Sequence, residues 1–420
     1  MGSHCEWLNL NSLTSSLMTC LLVTLCTANN MDPHVYPEKG PFFEGWYLRI
    51  IDPHQNISLG FMFGHVLPPT ELSFDVQNPC VVHALEPLPT DCSRMVTKKQ
   101  PYTHFWLSMN GQSTYPPVFV GLLLSLDKHD KLYNPGGYFN SSQYIITKNG
   151  QPITTNPDNE SPPNFEVKIG SNFSFIVNSN GSKFSVIVGD HILQGQTTEP
   201  IPWGPGGEGP ESWLENLPLP FHWFVYSLRS TVKSYQYVNK ETGQVISGNS
   251  DQGVPIVAHM EKNWGNSFPK AWIWCQGVDP RSKVSFVFSA GLVTAVGFDI
   301  KVQLSGYRNP GKQINCNFNP ANSWHSLDFD GCAGTVLFKV ESLTCAVNFE
   351  VSAPIKSFSS CLSAPMSEGF KKGCTESFVA VANITVYQRD PFSMVLTDNQ
   401  IIHLSALEFG EAYMCNGQCP

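Results

Sequence analysis

The sequence predicts an all-β protein built from sandwiches or barrels, on three observations. Apolar and polar residues alternate over short runs, Asn-Gly and Gly-Ser steps separate those runs, and no 3.6-residue apolar period lasts beyond three turns. Phe173, Phe175 and Val177 make one run, and Phe184, Val186 and Val188 in "KFSVIVGD" make the next. Asn180-Gly181 between them reads as a hairpin turn. Val284, Phe286 and Phe288, then Val336, Phe338 and Val340, then Ala382, Ile384 and Val386 repeat the pattern. A period of two places each apolar set on a single sheet face.

A chain of 420 residues fits two domains of ordinary size. Charged residues make up 14% of it, against a usual share of about 25%, and aromatics reach 12%. Such a composition supports a large aromatic core and excludes a wholly disordered chain. A net charge of −9 without a long basic run excludes a nucleic-acid partner held through its phosphates.

Residues 1–28 read as a signal peptide. Leu13 to Ala28 is apolar but short for a membrane span, and the small residues Cys26 and Ala28 suit cleavage after Ala28. The region before it carries Glu6 and no Lys or Arg, which departs from the usual pattern. An organellar transit peptide fits less well, because the first arginine is Arg49. No later segment is long and apolar enough to span a bilayer. The expected location is the secretory pathway, secreted or lumenal.

Cysteines agree with that compartment. Of 13, Cys5, Cys20 and Cys26 would leave with the leader, and the even remainder fits disulfides. Cys316 to Cys419 crowd the C-terminal quarter, which should therefore be stapled. Cys415 and Cys419 lack a nearby His or Cys pair to complete a zinc site, so a disulfide or free thiols fit better. Asn-x-Ser/Thr sequons at Asn56, Asn140, Asn159, Asn172, Asn180 and Asn383 point to a glycoprotein.

Residues 197–220 form a Pro/Gly-rich connector. Gly204, Gly206 and Gly209 match G-x-G-x-x-G, but no strand leads in and no helix follows to hold a pyrophosphate. The chain also lacks a G-x-S-x-G elbow and an H-E-x-x-H helix. His259-x-Glu261 lacks the Pro-Cys-x-x-Cys that a zinc deaminase requires.

Two constellations remain, "GPFFEGWYLRI" at 40–50 and "HMEKNWGNSFPKAWIWCQG" at 259–277. On strands, Glu44, Trp46 and Leu48 share one face and Phe43, Gly45 and Tyr47 the other. Glu261 and Asn263 likewise share a face opposite Lys262 and Trp264, and Trp272 lines up with Trp274. A carboxylate walled by indoles is desolvated, so it holds its proton closer to neutrality. Aromatic faces steady a carbocation by about 0.5 to 2 kcal/mol per ring. The combination suits protonation of an alkene. A purely structural reading stands beside it, with the rings as core and Glu44 paired to Arg49 or Glu261 to Lys262. His222 reads as a hydrogen-bonded core or surface histidine.

"PFFEGWYLRI" followed by "EKNWGNSFPKAWIWCQ" resembles the tocopherol cyclase family. The second motif matches at Glu261, Lys262, Asn263, Trp264, Gly265, Phe268, Pro269, Trp272, Trp274 and Gln276. More distantly the pattern is similar to bacterial carotenoid 1,2-hydratases. The resemblance implies two lipocalin-like β-barrel domains, 33–266 and 267–412, with a ligand site between or within them. It also implies the ring closure of vitamin E biosynthesis. The double bond of a prenyl-quinol is protonated, and the phenol oxygen closes a chromanol ring without a metal or redox cofactor. On this basis Glu261 is the first candidate for the acid and Glu44 the second. Trp46, Trp264, Trp272 and Trp274 would line the slot, and Tyr47 and Asn263 would orient the phenol. The expected partner is a hydrophobic small molecule, a prenyl-quinol or other isoprenoid, and a lipid of that kind allows peripheral membrane contact. A secreted lipid-binding protein without turnover and an alkene hydratase use the same scaffold. The plant enzymes carry plastid transit peptides, unlike this leader.

Overall fold

The computed structural model describes residues 31–34, 40–67, 117–127, 131–139, 143–148, 151–152, 164–251, 253–295, 297–367, 369–390 and 393–418. The leader, Cys80, Cys92, Cys419 and the sequons at Asn140 and Asn159 lie outside these residues. Among the described residues there are strands and short 3-10 turns and no α-helix, as the alternation predicts.

The first sheet runs from β1 (Phe42–Asp52), β2 (Ile57–Leu67), β3 (Val118–Ser125), β4 (Gly136–Phe139), β5 (Tyr144–Lys148) and β6 (Gln151–Pro152) through β7 (Phe165–Ile169), β8 (Phe173–Asn178), β9 (Gly181–Val188) and β10 (His191–Thr197). It ends with β11 (Phe221–Asn239), β12 (Gln244–Asn249) and β13 (Val257–Gly265). The second sheet comprises β14 (Ala271–Val278), β15 (Ser285–Ala295), β16 (Phe298–Asn309), β17 (Ile314–Phe318), β18 (Ser323–Asp330), β19 (Thr335–Ser342), β20 (Cys345–Ser352), β21 (Leu362–Met366), β22 (Gly369–Asp390) and β23 (Ser393–Glu411).

Strand order in the first sheet is β4-β3-β2-β1-β13-β11-β10-β9-β8-β7-β5-β6, with β12 on β11. β2 and β8 are far apart in that order, yet Phe63 and Phe173 meet at 4.3 Å and Phe61 and Phe175 at 5.7 Å. The sheet therefore curls around an aromatic core, as expected for a barrel or sandwich. The second sheet, β17-β16-β15-β14-β23-β22-β20-β19-β18 with β21 on β22, curls likewise. There Phe288 of β15 reaches Phe338 of β19 at 4.8 Å. The runs read from the sequence supply these cores, with Val336, Phe338, Val340, Ala382, Ile384 and Val386 all buried.

Both faces of β13 and β14 are covered, one by its own core and one by the other sheet. A bulge in β22 lets that strand serve both surfaces. Cys374 and Phe378 face the first sheet, whereas Ala380, Ala382 and Ile384 fill the second core after the register shifts between Ser377 and Ala382. The connector reinforces the contact. Arg308 Nη2 donates to the Trp203 carbonyl at 2.9 Å, and the guanidinium lies 4.8 Å over the indole. Gly306 leaves room for that ring, since a Cβ there would come within 2.5 Å of it.

Cys316–Cys345 joins β17 to β20, and Cys332–Cys415 ties the β18–β19 turn to the segment after β23. Cys361 is also disulfide-bonded. Cys275 and Cys374 are buried free thiols, so disulfides staple the C-terminal quarter without using every cysteine. Their side chains point to opposite faces of the second sheet, into different surroundings. Asn56 and Asn180 lie in exposed turns, and Asn383 lies within β22. No helix among the described residues is long and apolar enough to cross a membrane.

Candidate active site between the two sheets

β1 and β13 pair antiparallel with Glu44 opposite Trp264, Trp46 opposite Lys262, and Tyr47 opposite Glu261. Directly opposed residues share a face, so this register sorts the two motifs into two environments. Glu44, Trp46, Lys262 and Trp264 point into the first core. Tyr47, Arg49, His259, Glu261 and Asn263 point at the second sheet.

On the core side Glu44 is fully buried and ion-paired with Lys262 at 2.7 Å. The same carboxylate oxygen accepts the backbone N–H of His34 at 2.9 Å, and the His34 Nδ1 lies 2.7 Å away. Lys262 also donates to the Asp32 carbonyl and lies 5.2 Å from the Trp46 ring and 5.0 Å from the Trp264 ring. Burial opposes ionisation of Glu44, yet Lys262 and His34 together hold its carboxyl below the usual range. Glu44 therefore faces away from the second sheet as an ionised partner. Its suggested pairing with Arg49, and that of Glu261 with Lys262, are both corrected, because residues an odd number apart on a regular strand face opposite ways. His222 lies 2.8 Å from Glu211 and stacks on Trp264, as a satisfied histidine does.

On the other side a cavity of about 110 Å³ opens between the sheets. Glu261, Tyr47 and Asn263 line it from the first sheet; Trp272, Trp274 and Glu408 line it from the second. Trp46 also borders it, but Trp264 and Glu44 do not. The space exists partly because Gly45 and Gly64 are opposed on β1 and β2, leaving a stretch of sheet without side chains. An aromatic group of Phe43, Phe119, Phe221, Phe268 and Phe370 adjoins it. An apolar cavity of about 150 Å³ takes up benzene. This cavity is thus of a size to take a ring.

Trp274 Nε1 donates to Glu261 Oε2 at 3.2 Å, and His259 Nε2 lies 3.0 Å from the same oxygen. Trp272, two residues along the same face of β14, donates to Glu408. Tyr47 donates to Glu376 Oε1 at 3.1 Å and meets Trp274 edge-on at 5.2 Å. Glu376 and Glu408 are directly opposed on β22 and β23, and Trp274 is opposed to Glu408 on its other side. Three carboxylates therefore converge. Burial first, then Glu261, pushes Glu408 up to about 7 against the indole and Cys374 hydrogen bonds. Burial first, then Glu408, pushes the Glu376 carboxyl well above its ordinary range despite Arg49. Arg49 is itself buried and held by Gln276 at 2.7 Å and the Leu404 carbonyl, with Phe378 4.5 Å beneath it.

Glu376 and Glu408 were missed in the sequence. Each is a carboxylate at an inward position of a short run without other charges, "CTESFVAV" and "SALEFG". That is the signal that could have found them. No group of three His, Cys, Asp or Glu among the described residues is arranged to hold a metal ion.

Residues 246–411 match the family model described as tocopherol cyclase-like. No curated protein matches the chain. Among solved structures, CghA aligns over 94% of this chain and 97% of its own, at 10% identity and a TM-score of 0.51, so the two share a fold. A putative AttH from Nitrosomonas europaea aligns over 92% and 99% at 12% identity, with a TM-score of 0.43. Kievitone hydratase from Nectria haematococca aligns over 91% and 95% at 10% identity, with a TM-score of 0.33. The tocopherol cyclase-like resemblance read from the motifs is thus shown over residues 246–411, the stretch that carries Glu261 and the whole second sheet.

Proposed function

We propose that the protein is a tocopherol cyclase-like isomerase, secreted or lumenal after loss of residues 1–28, with domains 33–266 and 267–412. It protonates the double bond of a prenyl-quinol, and the phenol oxygen then closes a chromanol ring on the tertiary cation. The observation that carries this reading is the placement of Glu261 and Glu408 in one ring-sized cavity walled by Trp272 and Trp274. The carboxyl groups exchange the two protons of the reaction, one given to the alkene carbon and one taken from the phenol. No redox partner enters that balance. The indole faces steady the cation, Tyr47 and Asn263 orient the phenol, and the tail lies along the adjoining phenylalanines.

The test is incubation of purified protein with a prenylated hydroquinone in heavy water. The expected product is a chromanol of unchanged composition with deuterium at the protonated carbon. Glu261→Gln should slow ring closure by roughly 10² to 10⁴-fold, the contribution of proton transfer, while ligand binding persists. A product heavier by one water would identify a hydratase. Tight binding of mixed lipids with no conversion would identify a carrier.

A further inference from the structure

We infer that the two carboxylates of the cavity divide the work, with Glu408 of the second sheet delivering the proton and Glu261 of the first sheet receiving the phenol proton. This assignment rests on the proposed alkene protonation and deepens it. Both residues line the cavity, and each is hydrogen-bonded by one of two indoles spaced two residues apart on β14. They are thereby held beside one another from opposite walls. Either can touch a ring bound between them.

Their surroundings differ in the groups that face them. Glu261 has His259 Nε2 at 3.0 Å in addition to the Trp274 N–H, so two groups can donate to its carboxyl oxygen. Glu408 has the Trp272 N–H and the weakly donating thiol of Cys374, and across β22–β23 it faces a third carboxylate, Glu376. The nearby cation is Arg49, which is occupied by Gln276 and the Leu404 carbonyl. Lys262 is turned to the opposite face and bound to Glu44. Three carboxylates beside one guanidinium cannot all ionise in an enclosed apolar space, so a proton stays among them. Glu376 does not line the cavity. It is a positioning residue that holds the Tyr47 hydroxyl at 3.1 Å. Burial and the neighbouring carboxylate place Glu408 at about 7, a range in which it both holds and releases a proton.

In the step itself, the Glu408 O–H bond breaks as a C–H bond forms, and the π bond becomes the tertiary cation. The phenol oxygen attacks, its O–H bond breaks, and that proton passes to Glu261. Return of the proton from Glu261 to Glu408 restores the starting state. Nothing is oxidised or reduced.

Two readouts test the division of labour. Turnover of wild type should fall as pH rises through about 7, as the acid ionises. Glu408→Gln should lower turnover about 10²-fold or more and abolish that limb. Glu261→Gln should lower turnover and keep the limb, moved to lower pH because the Glu261 charge that helps to hold Glu408 up is gone. The second readout needs no turnover. Infrared difference spectra of the folded protein between pH 6 and 8 should show a protonated-carboxyl band that titrates in wild type and Glu261→Gln and is missing in Glu408→Gln. Folding of each variant is checked by circular dichroism. If Glu408→Gln keeps the band and the pH limb while Glu261→Gln loses both, the assignment is overturned and the cyclase reading stands. If no prenyl-quinol is converted, the cyclase reading fails, and the band still decides which residue holds the proton.

Discussion

Lys262→Met should destabilise the first sheet more than any surface change, and the size of the effect follows from its surroundings. The ammonium is 1% exposed and Glu44 is 0% exposed, at 2.7 Å from each other. Removing the cation leaves a buried carboxylate with His34 for support, and burial holds that histidine towards its neutral form. Breaking a buried pair in this way costs about 3 to 5 kcal/mol. For a domain of this size each kcal/mol shifts the melting point by roughly 2 to 4 °C, so the loss should be roughly 6 to 20 °C. The double variant Glu44→Gln/Lys262→Met should recover part of it, because no lone charge remains. The pH sign is fixed as well. Glu44 is held below its ordinary value, so its contribution is present above the unfolded carboxyl range and lost as pH falls through the folded value. The variant should therefore lose part of the acid sensitivity of the wild type. Urea and thermal unfolding of the four proteins measure the coupling. A Lys262→Met loss below about 1 kcal/mol, or a double variant that costs the sum of the singles, would refute the buried-pair argument.

Gly45→Val should fill the ring-sized space and weaken binding of a prenyl-quinol more than tenfold with little change in melting. The tightest contact of an added Cβ is the Asn263 side-chain oxygen at 3.2 Å, which can turn aside. Fluorescence titration of the cavity indoles reads the affinity, and unchanged binding would place the ligand elsewhere. Cys332→Ser opens a loop of 83 residues, and chain entropy puts the cost at about 4.5 kcal/mol. Non-reducing thermal melts of wild type and variant measure the difference, and a loss well under 1 kcal/mol would show that this crosslink adds little to the packing of the second sheet.

Local order determined much of this protein. Alternation in "FFEGWYLRI" and "HMEKNWG" was enough to place Glu44 with Trp46 on one face and Glu261 with Asn263 on another, because side-chain direction in a strand depends on nearest neighbours. The all-β class, the Asn180-Gly181 turn and the core runs were legible for the same reason. Partners were not. Glu44 meets Lys262 through the register of β1 on β13, and Arg49 meets Gln276 by packing of one sheet against the other, and no local period encodes either. The tertiary structure alone brought Glu376 and Glu408 beside Glu261, since β22 pairs with β23, β23 pairs with β14, and that sheet packs against the one that carries Glu261. Burial then decided which charges survive. The same side chain that is an ordinary carboxylate in an open strand is paired and ionised at Glu44, and at Glu408 holds its proton to about 7, because the surroundings replace water differently on the two faces of adjoining sheets.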